Sequence, residues 1–174
     1  EQLVSRLKER VDLPLFLHSH STSGMSAMCQ LKAVEAGCQH IDTAISSFAG
    51  GTSHPPTETM AVALREAGYE VGLDMALLKE IADYFKEVRK KYHQFESAYS
   101  GVDTDVLLSQ VPGGMMSNLA NQLKEQGAIE RIDEVFAEIP KVRKDLGYPP
   151  LVTPTSQIVG TQAVLNVVTG ERYK

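Results

Sequence analysis

The sequence predicts an α/β fold, and three observations carry that expectation. Short apolar runs alternate with amphipathic stretches in the order strand, helix, strand, helix, strand as far as Gly114. The helical stretches between the strand candidates are long enough for right-handed crossovers between parallel strands. Beyond Gly114 the apolar spacing turns to a helical period, so a helical region follows the α/β part.

Taken in order, Leu3, Val4, Leu7 and Val11 lie at helical spacing, and Pro14 stops that helix. LFLHSH (15–20) predicts a short buried strand. SGMSAMCQLKAVEAG predicts a helix with Met25, Met28, Leu31 and Val34 on one face and Gly37 at its end. CQHIDTAISS is the second strand, and the loop FAGGTSHPP follows it. Thr57 is the expected N-cap of PTETMAVALREAG, which ends at Gly68. Asp74 opens a longer helix whose expected core face is Leu77, Leu78, Ile81, Phe85, Val88 and Tyr92. TDVLLSQVPGG is the third strand candidate, with Gly113 and Gly114 at its end and Met115 and Met116 in the core beyond. MMSNLANQLKEQG and IERIDEVFAEI are helices, the second interrupted by Pro140 before KVRKDLG. The last stretch favours a helix capped by Thr155 or Ser156, with Ile158, Gln162 and Leu165 packed inward.

Composition narrows the class further. The chain has 174 residues, 43% hydrophobic, with a net charge of -5 and no Trp. That suits one domain with a sizeable core and supplies no electrostatic reason for nucleic acid or an anionic membrane as partner. Cys29 and Cys38 form no CxxC pattern, so a reducing cytoplasm is expected. No signal peptide and no transmembrane-length apolar run is visible. The chain opens without Met inside a helical pattern, as a piece of a longer protein would.

LHSHSTSG holds the residues that raise a question of function. On a strand, His18 and His20 share one face and Ser19 takes the other. Two imidazoles at the C-terminal end of a parallel strand can reach one divalent ion at about 2.1 Å. Spacing alone leaves open a pair of hydrogen-bonded histidines without metal. A divalent ion also wants an anionic ligand. Asp42 is the best-placed candidate in this chain, although it stands several residues before its strand's end, so the missing ligands are expected upstream of residue 1.

LHSHSTSG, IDTAISS, VPGGMMSN and PPLVTPTSQIVGTQAV, in that order, resemble the carboxyltransferase domain of biotin-dependent enzymes. The resemblance is closest to the oxaloacetate decarboxylase alpha subunit, and the carboxyltransferase subunits of transcarboxylase and of two-subunit pyruvate carboxylases are similar. The resemblance covers essentially the whole chain. It implies the C-terminal half of that domain, the last three strands of a TIM (β/α)8 barrel over residues 1–114 and a helical funnel over 115–174.

The same resemblance implies site residues. The family holds a divalent metal (Zn, Co or Mn) with an Asp, a carbamylated Lys and an HxH pair, so His18 and His20 become metal ligands. The Asp and the Lys belong to the barrel's first half and are absent here, as is a biotin-attachment motif, so the isolated piece is expected to be inactive. Thr153, in LVTPTSQ, matches the threonine that shuttles a proton between biotin and the substrate's enol carbon. Ser156 and Gln157 match positions beside the biotin or substrate site, and Thr52 and Ser53 are possible pocket residues. His54 is expected to be an ordinary loop histidine. The FAGGTSHPP loop departs from the spelling usual in the decarboxylase relatives.

The implied reaction is carboxyl transfer between carboxybiotin and pyruvate or oxaloacetate. Its implied partners are a biotin carboxyl carrier domain, a biotin carboxylase subunit or membrane decarboxylase subunits at the inner face of the membrane, and a second copy in a homodimer. Two rivals stand beside it. A metal-dependent aldol-type lyase or condensing enzyme shares the HxH but lacks the VTPTSQ segment and the funnel. A non-catalytic docking piece would lack the upstream ligands.

Overall fold

The structure, a computed structural model, describes residues 1–96, 101–104, 106–109, 111, 113–152 and 154–174, without the side chains of 108, 109, 113 and 117. It divides into two compact units, Glu1–Asp103 and Thr104–Lys174.

The first unit is α/β. Its elements are α1 (Gln2–Lys8), β1 (Phe16–Leu17), α2 (Ser26–Glu35), β2 (His40–Ile41), α3 (Thr57–Glu66) and α4 (Met75–Lys90). β1 and β2 pair in parallel, Phe16 opposite His40 and Leu17 opposite Ile41. The Phe16 and His40 rings stack across the pair with centroids 4.0 Å apart. Parallel pairing continues beyond β2 as a bridge from Ala44 to Pro56. A small core of Val4, Ala33 and Cys38 sits beneath the pair, with Leu15, Leu17, Ala36 and Ile41 against it.

Local details correct the sequence reading at several points. Pro56 rather than Thr57 is the N-cap of α3, and the Thr57 hydroxyl donates to Thr43 Oγ1 at 2.8 Å. Asp74 does cap α4, accepting from the amides of Ala76 and Leu77. The expected core face of α4 is not buried; Leu77 stays 53% exposed, and Phe85 meets Phe48 edge to face. On α2 the buried positions are Ser26, Gln30 and Ala33, one turn-face away from the exposed Met25 and Met28. The polar pair faces inward because its partners are there: Ser26 Oγ donates to Ser19 O, and Gln30 Nε2 to Asp42 O.

The second unit is helical: α5 (Val106–Ser109), α6 (Gly113–Glu125), α7 (Ile132–Asp145) and α8 (Thr155–Thr169). The third strand expected over 104–114 is therefore not formed at Val106–Ser109, and Gly113 and Gly114 begin α6 instead of ending a strand. No strand exists among the unit's described residues to pair with. A lone strand would leave its ladder groups unsatisfied, whereas a helical turn bonds within itself. Met115 and Met116 are buried as expected, with Leu119 and Leu123.

Pro140 lies inside α7 without ending it. A mid-helix proline costs about 3 kcal/mol, but Val135, Ile139 and Val142 are fully buried on the same helix. Each such side chain contributes about 1.5–3 kcal/mol, so packing outweighs the break. In α8 the buried face is Val159, Gly160, Ala163, Val164, Asn166 and Val167. Ile158 and Leu165, expected inside, are exposed. Gly160 sets this face, because a Cβ there would stand 2.8 Å from Met115 Cε and 3.1 Å from Leu119 Cδ2. Pro154 is the N-cap of α8, and the Thr155 hydroxyl donates to Val152 O at 2.8 Å.

A polar knot ties the C-terminus to α7. Glu138, 6% exposed, accepts from Arg172 Nε at 2.6 Å, Asn166 Nδ2 at 3.0 Å and Lys141 Nζ at 3.0 Å. Asp145 accepts from Arg172 Nη2 and the Tyr173 hydroxyl, each at 2.7 Å. Burial pushes the Glu138 carboxyl up, but the hydrogen bonds from Arg172, Lys141 and Asn166 together outweigh it and hold it below its ordinary range. The Tyr173 hydroxyl and Arg172 hold Asp145 low as well.

Carboxyls depressed in the folded state contribute stability that is present above their unfolded values and lost as pH falls through the folded ones. Hydrogen-exchange protection of α7 and α8 should therefore hold from neutral pH down to about pH 4.5 and fall below it. In Glu138→Gln the acid-side loss should shrink. Protection that rises on acidification would contradict the assignment.

Candidate metal centre

Two parallel strands place their C-terminal ends side by side, and the pairing of β1 with β2 does so here. Leu15 O accepts from His40 N at 3.1 Å, and Leu17 O from Asp42 N at 3.0 Å. The chain beyond β1 carries His18 and His20, and the chain beyond β2 carries Asp42. The loop after β2 then folds back over the histidines. Ser21 N donates to Ser53 O at 2.7 Å and Thr22 Oγ1 to Gly51 O at 3.3 Å. Gly50 (φ 88°) and Gly51 (φ 51°) take left-handed conformations that make this reversal possible.

His18, His20 and His54 form one cluster, with a ring nitrogen of each within 4.8 Å of the others. Ring centroids are 5.0 Å apart for His18 and His20, 4.5 Å for His18 and His54, and 4.8 Å for His20 and His54. Each Nδ1 has an oxygen partner. His18 Nδ1 lies 2.8 Å from Asp42 Oδ2, His20 Nδ1 2.6 Å from Thr52 O, and His54 Nδ1 2.9 Å from Ser19 O. A carbonyl or carboxylate oxygen only accepts, so each Nδ1 carries the proton and donates it.

That assignment decides the chemistry. With Nδ1 donating, each neutral ring keeps a lone pair on Nε2, and the Nε2 atoms of His18 and His20 face one another at 3.2 Å. Two lone pairs at that distance repel unless a cation lies between them, either a proton or a metal ion. An imidazole whose Nδ1–H is held by a carboxylate or carbonyl is the common form of a metal-ligating histidine. His18 is 61% exposed, so the cluster is open to a ligand from solvent.

The supports are themselves fixed. Gln30, fully buried on α2, donates to the Asp42 carbonyl at 2.7 Å, which sets the backbone that carries the carboxylate. Glu58 in the first turn of α3 accepts from Ser46 N and, at 2.5 Å, from the Ser46 hydroxyl, pinning the start of the loop.

The structure brings His18 and His20 together as expected, but Asp42 orients His18 instead of joining the cluster. Thr52 and Ser53 lie in the same loop, and their described hydrogen bonds run through the backbone: the Thr52 and Ser53 carbonyls accept from His20 Nδ1 and Ser21 N, and Ser53 N donates to Gly50 O. Ser156 and Gln157 open α8 in the other unit, Ser156 half-buried and Gln157 exposed. Thr153 lies outside the described residues. His54 was missed as a cluster member, because its partners are 34 and 36 residues away in the sequence. The available signal was its place in the loop after the second of two parallel strands, where such loops converge.

Comparison with known proteins shows what the chain is similar to. The family model described as HMGL-like matches residues 1–85, and the one described as conserved carboxylase domain matches residues 106–174. A pyruvate carboxylase subunit of Methanocaldococcus jannaschii is 63% identical over 99% of this chain and 31% of that protein. The methylmalonyl-CoA carboxyltransferase 5S subunit of Propionibacterium freudenreichii is 54% identical over 91% of the chain and 31% of that protein. The carboxyl transferase domain of Rhizobium etli pyruvate carboxylase, solved with pyruvate, superposes with a TM-score of 0.91 at 34% identity, covering 98% of this chain and 29% of that one. The same domain with pyruvate and biocytin gives the same score and coverage. The chain thus spans about three-tenths of the length of these relatives. Across both matched segments, the chain belongs to the family of biotin-dependent carboxyltransferases that includes the pyruvate carboxylases.

Proposed function

We propose that this chain forms part of a carboxyltransferase that moves a carboxyl group between carboxybiotin and pyruvate or oxaloacetate. The observation that carries the proposal is the Nε2-to-Nε2 approach of His18 and His20 at 3.2 Å, with both Nδ1 atoms anchored. The family's divalent metal fits this donor set, since both rings present lone pairs and neither nitrogen is blocked. Among the described residues the cluster contains no carboxylate, so its anionic ligands would come from the part of the domain that the chain does not span. β1 and β2, parallel and joined through α2, are units of the kind that build the C-terminal part of a TIM barrel.

When bound, the metal supplies a positive charge that stabilises the substrate's enolate oxygen. The chain's own residues do the rest. His18 and His20 hold the ion, and Asp42 fixes the tautomer and the orientation of His18. Thr153 shuttles a proton between the substrate's methyl carbon and the biotin ring nitrogen, a role open to a hydroxyl because it both donates and accepts. Ser156 and Gln157, next along the chain, line the biotin or substrate side, and Thr52 and Ser53 the rim of the metal loop. Biotin arrives on a carrier domain, and a biotin carboxylase subunit or membrane decarboxylase subunits supply or dispose of the carboxyl group. The complete domain associates as a homodimer in the cytoplasm. The aldol-type lyase reading is disfavoured, because the second unit matches the conserved carboxylase domain.

Three outcomes follow for the full-length protein. His18→Ala and His20→Ala should each lose stoichiometric metal by elemental analysis; retention by both would contradict the assignment. Asp42→Ala should keep the fold by circular dichroism and weaken metal binding by about 10–100-fold, as loss of an orienting partner does. Thr153→Val should lower biotin-dependent decarboxylation of oxaloacetate by about 10²–10⁴-fold with metal content unchanged, while Thr153→Ser keeps measurable activity. A Val variant close to the parent rate would remove the shuttle role.

A further inference from the structure

We infer that Tyr148 is a binding residue for the biotin ring, an inference that rests on the carboxyl-transfer reading above and adds a residue to it. Among the described residues, two other than glycine have positive φ, Tyr148 (φ 59°) and Tyr173 (φ 61°). The fold accounts for Tyr173. Its hydroxyl donates to Asp145 at 2.7 Å, its amide donates to Asn166 Oδ1 at 2.9 Å, and the Arg172 guanidinium lies 5.1 Å from its ring centroid. Tyr148 has nothing comparable: it is 63% exposed, and its hydroxyl has no partner among the described residues. Nor does the end of α7 require its conformation. Gly147 N donates to Lys144 O at 3.0 Å and Tyr148 N to Arg143 O at 2.8 Å. That ending needs one left-handed residue, and Gly147 (φ 80°) supplies it. Pro149 also pushes the residue before it toward extended backbone. A tyrosine is therefore strained where Asn or Gly would not be, and no described side-chain contact offsets the strain. Strain of this kind collects at binding and active sites.

The loop that Tyr148 opens decides what its ring meets. PPLVTPTSQ, residues 149–157, carries no charged side chain. A carboxylate substrate is ordinarily met by Arg or Lys, and the loop has neither. The bicyclic head of biotin is neutral, with an apolar thioether ring fused to a ureido group that donates and accepts hydrogen bonds. A tyrosine offers the matching pair, an apolar face and a hydroxyl. The loop is also held in shape. Arg143 Nε donates to Pro149 O at 3.1 Å, and Ser156 N and Thr155 Oγ1 each donate to Val152 O at 2.8 Å. Thr153, five residues beyond Tyr148 in the sequence, is the proton shuttle of the reading above, and the atom it serves is a biotin nitrogen.

Two substitutions in the full-length protein test this. Tyr148→Asn removes the ring and tolerates the left-handed backbone, and Tyr148→Phe keeps the ring without its hydroxyl. Oxaloacetate decarboxylation would be followed at increasing concentrations of free biotin. In Tyr148→Asn the KM for biotin should rise about 10-fold, with kcat and the KM for oxaloacetate close to the parent's. Tyr148→Phe should fall between the two. The Tm of Tyr148→Asn should equal or exceed the parent's, because strain is relieved and no internal contact is lost. An unchanged KM for biotin in Tyr148→Asn overturns the role of Tyr148. So does a KM raised only for carrier-borne biotin, which would set the ring against the carrier. A lower Tm, or failure of Tyr148→Asn to fold, overturns it as well, since the ring would then be packing against the rest of the protein. No biotin-dependent rate in the parent overturns the carboxyl-transfer reading itself.

Discussion

Everything proposed for this chain depends on a parallel pairing only two residues long. Phe16 and Leu17 beside His40 and Ile41 fix where two chain ends emerge, and those ends carry His18, His20 and Asp42. Displacing the register by one residue would reverse the faces, because side chains alternate along a strand. His18 would then lose Asp42. The pairing is short, so it needs help from outside, and buried Gln30 supplies some by holding the Asp42 carbonyl from α2.

The constraint propagates to the electronic state of the cluster. Three oxygen acceptors, one from each of three chain segments, claim the three Nδ1 protons. None of those acceptors is itself a member of the cluster. They act by removing the choice of tautomer, so that what converges is a set of lone pairs. A set of this kind is unfavourable when empty and favourable around a cation, which is how a fold stores affinity for a metal before meeting it.

Much of the site was legible in the sequence and less of the packing. HSH at the end of an apolar run exposed two histidines of the cluster, and the four ordered motifs exposed the family. His54 was not legible, because its meaning depends on a loop reversal made at Gly50 and Gly51. Periodicity failed where polar residues are the buried ones: Ser26 and Gln30 face inward on α2 because backbone carbonyls receive them, while Met25 and Met28 face out. It failed again in α7, where proline chemistry suggested a break and three fully buried branched residues overrode it. The apolar run of TDVLLSQ has strand propensity, but a strand needs a neighbour, and among the described residues of its unit there is none.

The central claim is the placement of protons on His18 and His20, and neutron diffraction from the metal-loaded, full-length protein reads it directly. The expected result is hydrogen density on Nδ1 of both rings, pointing at Asp42 and at the Thr52 carbonyl, and a metal ion with no hydrogen on either Nε2. Hydrogen on the Nε2 of either ring, with metal bound elsewhere or not at all, would contradict it.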